Sequence, residues 1–258
     1  MQDIPLIEFD SEREAIIEPT VLIKRMELPE YCVMPIYGSL IEKLKTEGRL
    51  EKISELYTSL VPIEVYKLEF GGGYITVAFP GVGAPFAAAI MEELIALGCR
   101  KFVACGSAGV LKSELQRGAI VIPSSAVRDE GTSYHYLAPS REIEVEPEVV
   151  RRLESVLLKH HVNYEIGKTW TTDAFFRETK SKVSKRKSEG CIAVEMECSA
   201  FLAVAQFRDV VFGQYLAAGD DVSGDEWDPR YVADRLSIQE KIFWLSVEAC
   251  LSLCGLYG

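Results

Sequence analysis

Two carboxylates, Glu195 and Glu197, flank Met196 in the stretch CIAVEMECSAFLAV, where a strand-like apolar run meets a helix-like one. The local pattern asks for core, and a carboxylate buried there without a partner is costly. A structural partner or a polar ligand must compensate it. Three other segments carry residues of similar interest. PGVGAP, residues 80–85, is a tight turn before a helix, or a loop whose free amides near a helix N-terminus face an anion. ACGSAGVL, residues 104–111, has the small side chains that let backbone approach a ligand, or that simply make a turn. AAGDDVSG, residues 217–224, places Asp220 and Asp221 after an apolar run, as an acid site or as an Asp-rich turn.

The elements around these segments explain why they matter. YCVMPIYG is a short apolar run ahead of a helix over SLIEKLKTEG. IEVYKLEF and YITVAFPG, separated by glycines, form a hairpin. APFAAAIMEELIALG has helical apolar spacing and stops at Gly98. KFVACG and GAIVIPSSAV are buried strands. PEVVRRLESVLLKHH is an amphipathic helix with proline at its start. EIGKTWTTDAFF is a strand running into a loop, CIAVEMECSAFLAVAQF is strand then helix, and VVFGQYLAAGDD is a strand entering a loop. The chain closes with a long helix over YVADRLSIQEKIFWLSVEACLSLC. Strands alternating with helices predict one α/β domain over residues 1–258, with 1–30 as an N-terminal extension. Its sheet is mixed, largely parallel and covered by helices. Ligands in such folds sit beyond the carboxyl ends of strands, where the four segments lie.

Composition narrows the function. With 28 basic and 39 acidic residues the formal net charge is −11, which argues against a surface for nucleic-acid polymers. The sequence holds no apolar run of membrane-spanning length, and its acidic start does not read as a signal peptide. Seven cysteines without CxxC pairs predict reduced thiols and a cytoplasmic location. Three histidines, two of them adjacent, give no metal-ligand spacing.

Taken together, the four segments resemble the nucleoside phosphorylase and nucleosidase superfamily, the branch of purine nucleoside phosphorylases, uridine phosphorylases and methylthioadenosine nucleosidases. VEMEC is similar to its Val-Glu-Met-Glu-Ala ribose motif, PGVGAP to its Gly-x-Gly-x-Pro turn, and CGSAGVL to its Gly-Ser/Thr-x-Gly loop. VRDEGTSYHY and TDAFF resemble its acidic strand end and its base-stacking segment. The resemblance implies a three-layer phosphorylase-type sandwich that cleaves the N-glycosidic bond of a nucleoside, with phosphate as co-substrate and no cofactor. It implies a homo-oligomer, a dimer or a hexamer built as a trimer of dimers. It implies that Glu197, with Glu195 and Met196, holds the ribose, and such a carboxylate would stabilise an oxocarbenium-like state. Phe175, Phe176 and Arg177 would meet the base, and Gly83, Gly106 and Ser107 the phosphate. Asp220 would protonate a purine at N7, with Asp221 as the alternative acid. The competing reading of Glu195 and Glu197 is a helix N-terminal cap.

The departures from the family pattern are specific. Its N-terminal Gly-Asp-Pro-x-Arg loop is MPIYGS here, a second phosphate arginine falls at Ala104, and a third falls near Val61. A bidentate arginine is not casually replaced. Arg128 and Arg177 are the candidate substitutes. The Gln–Arg pair of uracil readers is not matched by RETK after Phe176. Hydrolysis of the same bond, uridine phosphorolysis and a non-catalytic nucleoside-binding role are the alternatives.

Overall fold

The computed structural model describes residues 4–59 and 61–256, so the outermost residues of the expected 1–258 domain, 1–3 and 257–258, lie outside it. The arm ahead of the domain makes a 3-10 turn over Pro5–Ile7 and a short helix α1 over Pro19–Leu22. Strand β1 (Tyr31–Pro35) then leads into helix α2 (Gly38–Thr46). Strand β2 (Leu50–Leu56) precedes the expected hairpin of β3 (Ile63–Phe70) and β4 (Gly73–Ala78). Helix α3 (Ala84–Leu97) ends on Gly98 as its capping residue. Next come β5 (Lys101–Val110), β6 (Ile120–Asp129) and the short β7 (Glu142–Glu144). Helix α4 (Pro147–Lys159), β8 (Tyr164–Thr172) and helix α5 (Lys180–Ser188) follow. The chain finishes with β9 (Cys191–Glu195), α6 (Cys198–Phe207), β10 (Val211–Asp221) and α7 (Arg235–Ser252).

Among the described residues ten strands form one mixed sheet flanked by helices. β1 and β10 run parallel to β5 on either side of it, and β6, β8 and β9 run parallel to one another. The sheet also closes on itself. β10 pairs β6 at Leu216 and Ala217, while β9 pairs β5 at Val194 and Gly109. The strands β5, β10, β6, β8 and β9 therefore form a ring. The main core fills the space between this sheet and helices α2, α3, α4, α6 and α7, with Phe102, Phe201, Tyr215 and Phe243 fully buried. Among the described residues no helix is long and apolar enough to cross a membrane.

Two segments expected as loops belong to strands. Gly106 to Gly109 continue β5, and Gly219 to Asp221 continue β10. Parallel pairing of β5 with β10 runs from Val211 to Ala218, and then the register shifts before Asp221 meets Val110. Gly219 sits in this bulge. A Cβ there would lie 2.8 Å from the Ala108 carbonyl oxygen, so only glycine lets the two backbones approach this closely. Because successive strand side chains face opposite sides, the residues after the bulge diverge. Asp220 turns to one side and Asp221 to the other.

Candidate active site

A cleft of about 940 Å³ opens beyond the ends of β1, β5, β9 and β10. Glu195, Met196 and Glu197 form part of its wall, with Ser107, Phe175, Phe176 and Asp220. Of the residues expected at the ribose, base and acid positions, Arg177 and Asp221 are not on this wall.

The two glutamates do different work. Glu195 accepts from the Thr171 hydroxyl at 2.6 Å and from the amides of Glu197 and Cys198 at 2.8 and 2.6 Å. It caps the N-terminus of α6, so the capping reading describes this residue. Burial, and then the charge of Glu197, push its carboxyl up to about 8, against the lowering effect of those three donors. Glu197 accepts the Gly83 amide hydrogen at 2.6 Å. Burial raises its affinity for a proton, and the donated amides work the other way. Gly83 has φ +89° and stands just ahead of α3, a backbone state that glycine adopts readily. The resemblance implied that Gly83 meets the phosphate, whereas its amide hydrogen is given to Glu197.

The other phosphate candidates divide. Ser107 lines the cleft with its hydroxyl 3.3 Å from that of Tyr37. Gly106 is covered by Ile36, whose side chain lies 3.3 Å from where a Cβ would stand, and it is not on the cleft wall. Arg128 is buried and spends its donors on Ser133, Ser140 and the carbonyls of Leu137 and Ala138. Arg177, on the 3-10 turn Phe175–Arg177, is exposed and off the cleft wall, because this short turn directs Phe175 and Phe176 to the cleft instead. Their rings lie 4.1 Å apart.

Asp220 accepts from the Trp227 indole N–H at 2.7 Å. Asp221, expected as the alternative acid, is off the cleft wall and engaged elsewhere. It pairs with Arg230, accepts from the Ser223 amide at 2.7 Å, and joins Asp228 by a backbone bridge. Arg230 also donates to the carbonyls of Leu115 and Ser113. This clasp fixes the segment that presents Trp227 to Asp220.

Four cleft residues escaped the sequence reading. Glu178 follows the aromatic pair, and its side chain has no hydrogen-bond partner among the described residues. Burial first, and the charge of Asp220 second, push its carboxyl up to about 7. Trp227 sits in an acidic turn, where a lone tryptophan was the available signal. Arg117 donates to the Pro229 carbonyl at 3.0 Å, and its buried Nε has no partner. Arg235, the first residue of α7, forms no ion pair among the described residues. Both arginines lie on β5–β6 and α7 segments that carry no recognisable anion motif. Among the described residues no cluster of three or more metal-ligating side chains occurs.

Residues 42–242 match the family model of the phosphorylase superfamily. The chain belongs to that superfamily. It is 24% identical over 216 residues to a guanosine phosphorylase of Halorubrum lacusprofundi, a match covering 81% of this chain and 86% of that one. It is 32% identical over 134 residues to a uridine phosphorylase of Thermococcus kodakarensis, covering 50% of this chain and 48% of the relative. Among solved structures, a purine nucleoside phosphorylase from Toxoplasma gondii bound to immucillin-H superposes with a TM-score of 0.73 at 21% identity, covering 91% of this chain and 93% of that chain. A uridine phosphorylase from Vibrio fischeri gives a TM-score of 0.72 at 20% identity. These two establish the phosphorylase-type sandwich as the fold. The superfamily assignment leaves the base open, since purine and uridine enzymes both stand among the relatives.

Proposed function

We propose that this chain is a nucleoside phosphorylase acting on purine nucleosides, giving the free base and ribose 1-phosphate. One observation carries the reading: Glu197, oriented by the Gly83 amide, shares a cleft with Met196, Phe175 and Asp220. A carboxylate held in place is suited to bind the ribose hydroxyls and to stabilise positive charge developing on the sugar. The half-exposed Phe175 offers a face for the base. The carboxyl groups of Asp220 and Glu178 lie at hand for a purine, which leaves poorly without a proton. The names of the relatives, which include guanosine and purine nucleoside phosphorylases, support this class.

Phosphate is the co-substrate in this reading, and no cofactor takes part. The family's clamp arginines are missing, but the cleft holds Ser107, Arg117 and Arg235, so positive charge for an anion is present. The weakened anion seat also favours a second reading, hydrolysis of the same bond by water. The reading includes a cytoplasmic homo-oligomer acting on free nucleosides. Ile16, Ile17, Val21 and Leu22 on the N-terminal arm are exposed, which fits burial against another copy.

Purified protein incubated with inosine, guanosine or uridine, with and without inorganic phosphate, tests this. Ribose 1-phosphate formed only with phosphate is the expected product. Free ribose at equal rates in both arms would establish hydrolysis, and no base released from any nucleoside would overturn the enzymatic reading.

A further inference from the structure

Asp220 and Glu178 are two carboxyl groups on one cleft with different surroundings. Asp220 accepts the indole N–H of Trp227 at 2.7 Å, so one of its oxygens already has a donor. Glu178 is more buried than exposed and has no hydrogen-bond partner among the described residues. Its backbone is fixed, since its amide donates to the Phe175 carbonyl at 3.1 Å. Two carboxyls on one cleft, one holding a donor and one bare, are in different environments, and the bare one is the better suited to carry a proton.

We propose that Glu178 carries the proton delivered to the departing base and that Asp220, held by Trp227, is its neighbour on the cleft wall. This rests on the phosphorylase reading above. In the step, a phosphate oxygen forms a bond to C1′ as the C1′–N9 bond breaks. The electron pair of the broken bond enters the base, and the Glu178 proton passes to N7, directly or across Asp220. Glu178 is then reprotonated from solvent, which also takes up the proton lost by the phosphate. The proton affinity of Glu178, pushed up to about 7 by burial and by Asp220, suits a donor at neutral pH.

Other charges around Glu178 are accounted for. Lys180 pairs with Asp225 at 3.5 Å, and Lys187 donates to the Ser223 carbonyl at 2.8 Å. Both lie with Glu226 along a groove between α5 and the 222–227 segment that Glu178 also borders. Glu195 and Glu197 stand elsewhere on the cleft wall, held by backbone amides. No cation is within salt-bridge reach of Glu178 among the described residues.

The test is the pH dependence of kcat/KM for guanosine and for 7-methylguanosine, whose N7 already carries a methyl group and needs no proton. Wild type is expected to lose guanosine activity as pH rises through about 7. Glu178→Gln should lose about 10²- to 10⁴-fold on guanosine, together with that alkaline limb, and only a small amount on 7-methylguanosine. Glu178→Asp keeps a transferable proton and should keep the limb. Asp220→Asn removes a negative neighbour and should move the limb to lower pH without abolishing it. If Glu178→Gln, shown to be folded by circular dichroism, keeps the wild-type limb while Asp220→Asn loses it, Asp220 is the acid and the proposal is wrong. Equal losses on both substrates in Glu178→Gln would also overturn it. If wild type cleaves neither nucleoside with phosphate, the phosphorylase reading itself has failed.

Discussion

Glu197 Oε1 accepts the amide hydrogen of Gly83 at 2.6 Å, tying the turn ahead of α3 to the strand-to-helix junction after β9. The bond sets the orientation of a carboxylate in the cleft without consuming its second oxygen. Glu197→Gln keeps an acceptor for Gly83 and removes the charge. Its expected effect is a fall in kcat of about 10²- to 10³-fold, the range seen when a preorganised electrostatic group is lost. The melting temperature should hold or rise, because a buried charge is removed. An unchanged kcat would mean that Glu197 serves the fold alone.

Trp227→Phe keeps an aromatic ring over the cleft and deletes the N–H that solvates Asp220. A hydrogen bond to a charged group is worth roughly 1.5–3 kcal/mol, so kcat/KM should fall by about ten-fold or more. Trp227 is 62% exposed, and thermal unfolding should barely move. Steady-state kinetics and calorimetry on the same preparation check both parts.

The Glu178 carboxyl gives a stability signature independent of turnover. Its affinity for a proton rises from the ordinary 4.5 to about 7 on folding, chiefly through burial. The folded state therefore holds that proton more tightly than the unfolded chain. The resulting stabilisation is complete below about pH 4.5 and is lost as pH rises through about 7. Glu178→Gln lacks this contribution. Melting temperatures of the two proteins between about pH 5 and pH 8 should show wild type losing ground to the variant as pH rises.

Gly219→Ala puts a methyl group 2.8 Å from the Ala108 carbonyl oxygen, between two paired backbones that have no side chain to yield. Overpacking of this kind costs about 1–3 kcal/mol. The bulge must also shift, and Asp220 with it. Loss of activity beyond the loss of folded protein, measured on the folded fraction, is the expected result.

Arg230→Ala opens the clasp around Asp221. Asp221 then keeps only the Ser223 amide and side chain as donors, and a buried charge left without its counter-ion costs on the order of 3 kcal/mol. The 222–231 segment loses its tie to the Ser113 and Leu115 carbonyls. Limited proteolysis should cut within this segment sooner than in wild type, and KM for the nucleoside should rise.

Residues whose neighbours in sequence are also their neighbours in space were readable in advance. The VEMEC junction is a strand end and a helix start in one stretch, so the place of Glu197 and Met196 at a strand end was legible, as was that of Asp220 at the end of an apolar run. Gly98 likewise marked the end of α3. Partnerships across the fold were not readable. Nothing local shows that the Gly83 amide is taken by a residue 114 positions away, or that Arg128 is spent on its own loop. Asp220 and Asp221 look alike in sequence; strand alternation puts them on opposite faces, and the register shift at Gly219 sets which of them faces the cleft. Small residues in GSAG and AAG suggested loops because strand pairing on both sides, which lets them extend β5 and β10, is a tertiary property.

The ring of five strands sets the order in which this protein becomes competent. β5 must wait for β10, over a hundred residues later in the chain, before its pairing from Lys101 to Ala108 is complete. Such distant closures are slow steps, because chain entropy is spent before contacts repay it. Helices α3 and α4 and the β3–β4 hairpin rely on nearer residues and form without that wait. Asp220 stands at the very end of the late strand, so a refolding chain regains its circular dichroism before it regains any catalysis, and a ribosome-bound chain halted before residue 211 carries Glu197 with no cleft to serve.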